Sequence, residues 1–168
     1  MSSADRAHEV ALRPAARADE TLLTHVLRLA ADPSGPGLTL EQVVGDQALA
    51  RYVQGWGRPG DTGVIAEAPG GRLVGAAWAR TSAADDRGYG FVAPGVPELA
   101  MAVGPAWRGL GWGGAMLDAL LARLREQGVR SASLSVRDAN VTARALYEAR
   151  GFTAVGRHGE SATMLLVL

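Results

Sequence analysis

Apolar residues fall at helical spacing in some stretches of the chain and at alternate positions in others, and the changeovers mark its elements. A polar stretch over residues 1–8, expected to be a frayed tail, leads into a strand from Val10 to Arg13 that Pro14 ends. Behind Asp19, a residue suited to cap free amides, Leu22, Leu23, Val26, Leu27 and Ala30 recur on one helical face. The run Asp32-Pro33-Ser34-Gly35-Pro36-Gly37 breaks that helix. Thr39 and Gln42 stand at the spacing of a capping box, which predicts a second helix through about Val53. From Thr62 the period changes: Thr62 to Ala68 and Arg72 to Thr81 read as strands across the turn Pro69-Gly70-Gly71. Residues 82–95, rich in Ala, Asp and Gly, read as a mobile loop. The next strand runs from Val96 to Val103, with Pro97 tolerated only near its start. Leu117, Leu120, Leu121 and Leu124 define a helix from near Gly111 to Gly128. Ser131 to Val136 alternates as a strand, Asn140 to Arg150 is a short helix closed by Gly151, and strands over Phe152 to Arg157 and Thr163 to Leu168 complete the chain.

This order is strand, two helices, three strands, helix, strand, helix, two strands. It predicts a mixed α/β sheet covered by helices, not a regular βαβ alternation. With 168 residues, 48% of them hydrophobic, one domain over 1–168 is expected. The 17 basic and 17 acidic residues balance, so charge favours neither a nucleic acid nor an acidic membrane as partner. Every basic residue is an arginine, which excludes a Schiff-base lysine or a P-loop lysine on this chain. The lack of cysteine excludes thiolate nucleophiles and Cys-held zinc, and no metal is expected. Without a leader-like or membrane-length apolar run, cytoplasmic residence is the expectation.

The most informative segment is Glu98-Leu-Ala-Met-Ala-Val-Gly-Pro-Ala-Trp-Arg-Gly-Leu-Gly-Trp-Gly-Gly114. A strand feeds a glycine-rich turn and then a helix start. Adjacent free amides with the positive end of a helix make an anion site, and a diphosphate is its natural occupant. Gly109, Gly111 and Gly114 also satisfy the dinucleotide fingerprint G-x-G-x-x-G, but Gly104 to Arg108 separate them from the strand and few residues follow. A dinucleotide-binding protein therefore stands as the remote alternative. The second segment, Leu134 to Phe152, joins a strand, a polar turn and a helix; Asn140 is placed to cap that helix, and Ala143 and Tyr147 share one of its faces.

Together the two segments resemble the GNAT superfamily of N-acetyltransferases. Arg108, Gly111 and Gly113 fit the superfamily's Gln/Arg-x-x-Gly-x-Gly/Ala segment, and Asn140…Ala143…Leu146-Tyr147-Glu148…Gly151-Phe152 resembles its following helix and sixth strand. The resemblance implies a central, mostly antiparallel seven-stranded sheet, splayed between strands 4 and 5 and flanked by four helices. It implies acetyl-coenzyme A (the cosubstrate) lying along Met101, Ala102 and Val103, with its diphosphate on Arg108, Gly109, Leu110, Gly111, Trp112, Gly113 and Gly114. Asn140, Ala143 and Tyr147 would meet its pantetheine arm. The implied activity is direct transfer of acetyl to a primary amine, small-molecule or protein. Tyr147 is expected as general acid to the departing sulfur and Glu98 as general base, directly or through water. The amide near Met101 or Ala102 would polarise the thioester carbonyl. The competing reading is a catalytically weak acyl-coenzyme A-binding regulatory domain. The first two helices, the 82–95 loop and the last two strands would build the acceptor cleft, lined by Trp56, Trp78, Tyr89 or Phe91. Asp85, Asp86 and Glu98 would favour a cationic amine if they cluster. His8, His25 and His158 read as structural or exposed. The last strands would permit a homodimer.

Overall fold

Why the chain closes on one sheet is visible in the two strands at its centre. In the computed structural model, which describes residues 9–32 and 37–168, β2 (Thr62–Ala68) and β3 (Arg72–Arg80) are buried almost throughout. Their near-continuous small and apolar residues suit strands covered on both faces. Val64, Ala66 and Ala77 face one core cluster; Ile65, Ala76 and Trp78 face the other, as the alternation of strand side chains requires. β1 (Ala11–Pro14) and β4 (Glu98–Val103) flank this pair, followed by β5 (Ser131–Arg137), β7 (Ser161–Val167) and β6 (Thr153–His158), giving the order β1-β2-β3-β4-β5-β7-β6. Every neighbouring pair is antiparallel except β4 with β5. The sheet is thus not the parallel, doubly wound one that a dinucleotide site requires, and the remote alternative drops out. The polar stretch at residues 1–8 and most of the Asp32 to Gly37 break lie outside the described residues.

Helix α1 (Glu20–Ala31) packs Leu23, Val26 and Leu27 on one face of the sheet. On the other, α4 (Trp112–Glu126) buries Met116, Leu117, Leu120, Leu121 and Leu124, and α5 (Val141–Glu148) contributes Tyr147. The helix expected through Val53 is instead two short ones, α2 (Leu40–Gly45) and α3 (Gln47–Ala50), so five α-helices, not four, flank the sheet among the described residues. Thr39 and Gln42 form the expected capping box at the first. Asp46 then turns extended, and its carboxylate accepts from the Ala48 amide at 2.9 Å, starting a new helix where the first would have continued. β4 begins at Glu98 rather than Val96, since Pro97 has no N–H to give a ladder; its carbonyl accepts from the Ser133 amide at 2.9 Å. Among the described residues no helix is long and apolar enough to cross a membrane, and no group of three or more His, Asp or Glu could hold a metal ion.

Candidate active site

β4 and β5 touch at a single register pair, Glu98 with Ser133. Beyond it they separate, so Leu99 to Val103 pair with β3 alone and present their other edge unpaired. The gap opens towards the glycine turn. Gly109 (φ +73°) and Gly111 (φ +86°) both adopt the left-handed conformation that side chains resist. The amides of residues 109–114 donate no hydrogen bond within the described residues. A helix start with this many free N–H groups is an anion site by construction. A Cβ on Gly113 would stand in ordinary contact, 3.6 Å from each of Met101, Val103 and Leu146, so the helix start seats against β4. A Cβ on Gly114 would fall 2.6 Å from the Arg150 guanidinium, which Asp118 holds at 2.7 Å. Trp112 packs half-buried on the core, and Leu110 is exposed. The Arg108 side chain lies at the turn, its Nε donating to the Val103 carbonyl at 3.3 Å.

A cavity of about 460 Å³ lies at the closed end of the gap. Leu99, Ala100 and Met101 of β4 form one wall; Ser135, Val136, Asn140, Ala143 and Tyr147 form another; Leu27, Leu38, Leu49 and Tyr52 close the side of α1 to α3. The structure therefore brings together Glu98, Met101, Asn140, Ala143 and Tyr147, while Arg108 to Gly114 lie apart at the turn. Asn140 caps α5, its Oδ1 accepting from the Ala143 amide at 3.2 Å. This cap aims Tyr147, two turns on, into the cavity. The Tyr147 ring meets Phe152 edge-on at 5.8 Å, and its hydroxyl makes no hydrogen bond among the described residues. Burial pushes its pKa up to about 12.

Glu98 is not an exposed edge carboxylate but is 5% exposed. Its Oε1 accepts from the Tyr52 hydroxyl at 2.7 Å and from the Gly90 amide, while Oε2 is buried and has no hydrogen-bond partner among the described residues. Burial raises its pKa above the usual carboxylate range; the two hydrogen bonds and the charge of Arg51 pull the other way without cancelling the shift. The 82–95 loop descends onto this carboxylate. Positions 88 and 90 permit it only as glycines, for a Cβ would lie 1.9 Å from Glu98 Oε2 at the first and 2.5 Å from the Leu134 carbonyl carbon at the second.

The expected acceptor lining is only partly met. Trp78 and Trp56 are core residues; Tyr89 lines the cavity, and Phe91 lines an adjoining hollow beneath Arg87. Asp86 is ion-paired to Arg51 at 2.8 Å, and neither it nor Asp85 lines the cavity, so the acidic cluster does not form. His158 also lines the cavity, against Tyr89, whereas His25 is exposed on α1 and His8 lies outside the described residues. Sequence reasoning missed Tyr52, Gly88 and Gly90. The doublet Gly88-Tyr89-Gly90 inside the loop was the available signal; Tyr52 gave none.

Comparison with known proteins agrees with this geometry. Residues 21–152 match the model of the acetyltransferase (GNAT) family. A mycothiol acetyltransferase of Propionibacterium freudenreichii is 34% identical over 110 residues, 66% of this chain and 33% of that protein. The chain thus spans about a third of that curated relative. A phosphinothricin acetyltransferase from Sinorhizobium meliloti, solved in complex with AcCoA, superposes with a TM-score of 0.68 at 25% identity, over 95% of this chain and 89% of that one. YncA from Salmonella typhimurium, solved with acetyl-CoA, does so at 0.67 and 23%, over 95% and 94%. By sequence, by the order of its strands and by the split between β4 and β5, the chain belongs to the acetyltransferase (GNAT) family.

Proposed function

We propose that this protein is a single-domain enzyme that transfers the acetyl group of acetyl-coenzyme A directly to a primary amine. The observation that carries the reading is the continuous run from a turn of unpaired amides, along the open edge of β4, to a cavity holding Glu98 and Tyr147. The fit to acetyl-coenzyme A rests on that run, and relatives solved with the same molecule support it. When bound, it supplies an activated acetyl thioester.

The chain's own groups divide the remaining work. The amides of Gly109 to Gly114, with Arg108 beside them, hold the diphosphate. The edge of β4 turned away from β3, at Met101, Ala102 and Val103, aligns the pantetheine arm, with Asn140 and Ala143 opposite. An amide at Met101 or Ala102 polarises the carbonyl. Glu98 takes the proton that the attacking amine loses, a task its raised pKa suits. Tyr147, kept protonated by burial, donates to the departing sulfur. The all-exposed edge strand β6 supports a homodimer.

Two measurements test the reading. Calorimetry should show one acetyl-coenzyme A bound per chain. Thiol release across a panel of primary amines should identify an acceptor, and Tyr147→Phe should lower kcat about 10²-fold or more with acetyl-coenzyme A affinity changed less than about threefold. Binding without release for any amine would favour a regulatory domain; no binding by folded protein would sink both.

A further inference from the structure

The residues around Glu98 do more than bury it. Tyr52 follows α3 and stands across the face of the sheet from β4, yet its hydroxyl is committed twice. It donates to Glu98 Oε1 at 2.7 Å and accepts from the Tyr89 amide at 2.8 Å. The Gly90 amide reaches the same carboxylate oxygen. Both donors therefore converge on Oε1, and Oε2 is left buried with no hydrogen-bond partner among the described residues. An orphaned, buried carboxylate oxygen is costly; this one lies under Gly88, in a carboxylate that lines the cavity at the closed end of the gap. The Tyr52 main chain is itself fixed, its carbonyl accepting from the Trp78 indole at 3.0 Å.

We propose that Tyr52 is the positioning residue of the transfer reaction, holding the Glu98 carboxylate by Oε1 in the orientation in which it takes the acceptor's proton. The inference rests on the reading of Glu98 as the base. In the step, an N–H bond of the attacking neutral amine breaks and an O–H bond forms on the Glu98 carboxylate. The nitrogen pair forms the new C–N bond, the C–S bond breaks, and the sulfur takes its proton from Tyr147, whose phenolate is reprotonated from solvent. Because the Tyr52 hydroxyl stabilises the charged carboxylate, it also keeps Glu98 from rising further out of range. The groups that face this carboxyl are Tyr52 and Arg51 from the segment after α3, the Gly88 to Gly90 main chain of the loop, and Ser133 of β5. The full charge among them is Arg51, ion-paired to Asp86. Asp46, Arg137, Tyr147 and His158 line the same cavity as Glu98. The Oγ of Ser133, register partner to Glu98, is likewise buried with no hydrogen-bond partner among the described residues.

The test is the titration of the Glu98 carboxyl carbon by carbon-13 NMR, assigned by its disappearance in Glu98→Gln, in the wild-type protein and in Tyr52→Phe. The expected result is an upward shift in Tyr52→Phe of about one to two pH units. The acidic limb of kcat/KM for the amine should move by the same amount, while the KM for acetyl-coenzyme A stays put. A Glu98 titration unmoved by Tyr52→Phe overturns the proposal alone. A Glu98→Gln enzyme that keeps both its rate and its acidic limb overturns the base assignment and the proposal with it. If Tyr52→Phe does not fold, 3-fluorotyrosine placed at 52 alone, a stronger donor, should lower the Glu98 pKa; no displacement there overturns the proposal equally.

Discussion

Glu98 and Tyr147 are both buried, and burial pushes both pKa values up, yet the consequences are opposite. For a phenol the shift to about 12 keeps the proton on at every physiological pH. For a carboxyl the shift moves ionisation towards the range where a base works, at a cost to the fold. The sign of that cost is fixed by linkage. Below the ordinary carboxylate pKa of about 4.3, Glu98 is neutral in folded and unfolded chains alike, and no penalty applies. As pH rises from there to the raised folded value, only the unfolded chain ionises, so stability is lost across that window; above it the loss is constant. Glu98→Gln keeps an oxygen to accept from Tyr52 and Gly90 but cannot ionise. Its stability relative to wild type should therefore climb between about pH 4.5 and pH 7.5, by roughly 1.4 kcal/mol for each unit the folded pKa stands above the unfolded one. Urea unfolding of both proteins at the two pH values reads this directly, and every other titrating pair, including Arg13 with Asp19, cancels in the difference. At this scale the sequence was legible where spacing fixed a residue's face, as for Tyr147, which shares a face with Ala143 and lines the cavity with it. It was silent on Tyr52, because a tyrosine on a turn carries no mark of a partner 46 positions away.

At the scale of elements, the glycine turn and the β4 edge work as a unit. Gly111 is the N-cap of α4 and has open space where a Cβ would stand, so what forbids a side chain there is its φ of +86° rather than a clash. Gly111→Val should therefore fold, but with the turn forced towards φ values that a β-branched residue tolerates, at a local cost of about 1–2 kcal/mol. The free amides then no longer converge. Calorimetry should find acetyl-coenzyme A binding weakened tenfold or more, while thermal unfolding of the free protein moves by only a few degrees. This turn was readable beforehand because glycine spacing before a leucine-patterned helix is a local signal. The split of the sheet came only with the family resemblance: by pattern β4 and β5 both read as ordinary strands, and nothing local marks that they share a single register pair, beside which the Gly88 to Gly90 loop settles on Glu98 and the Leu134 backbone. The same limit explains α2 and α3. A capping box announces where a helix starts, but Asp46 offered a second cap inside it, and the pull of Tyr52, Val53 and Trp56 into the core settled which helix ended.

Across the whole molecule, the site is tied to the core through a buried ion pair that composition alone does not reveal. Arg80 closes β3 with only 3% of its side chain exposed, and Asp61 faces it with 4%. Two hydrogen bonds join them, at 3.0 and 2.8 Å, and Arg80 Nη1 reaches on to the carbonyls of Arg51 and Gln54 at 3.0 and 2.8 Å. The guanidinium also lies 5.4 Å above the Trp56 ring, while Asp61 accepts from the amides of Gly57 and Arg58 at 3.0 Å. Those carbonyls bracket Tyr52, so the segment that steers Glu98 is clamped by Arg80 on either side and by the Trp78 indole in the middle. Arg80→Met keeps the aliphatic bulk but leaves Asp61 charged and two carbonyls without their donor. The expected cost is about 3–5 kcal/mol, or a fall in Tm of roughly 6–20 °C for a domain of this size. Adding Asp61→Asn should recover part of it, since the uncompensated charge is then gone while the amides of Gly57 and Arg58 still find an oxygen; strict additivity of the two losses would show that the pair is not coupled. The functional consequence separates this clamp from mere bulk. At a temperature where Arg80→Met is still folded, hydrogen exchange at the Tyr89 and Gly90 amides should quicken, because both are held through Tyr52 and Glu98. The amides of α4, on the far face of the sheet, should keep their protection relative to the global unfolding free energy.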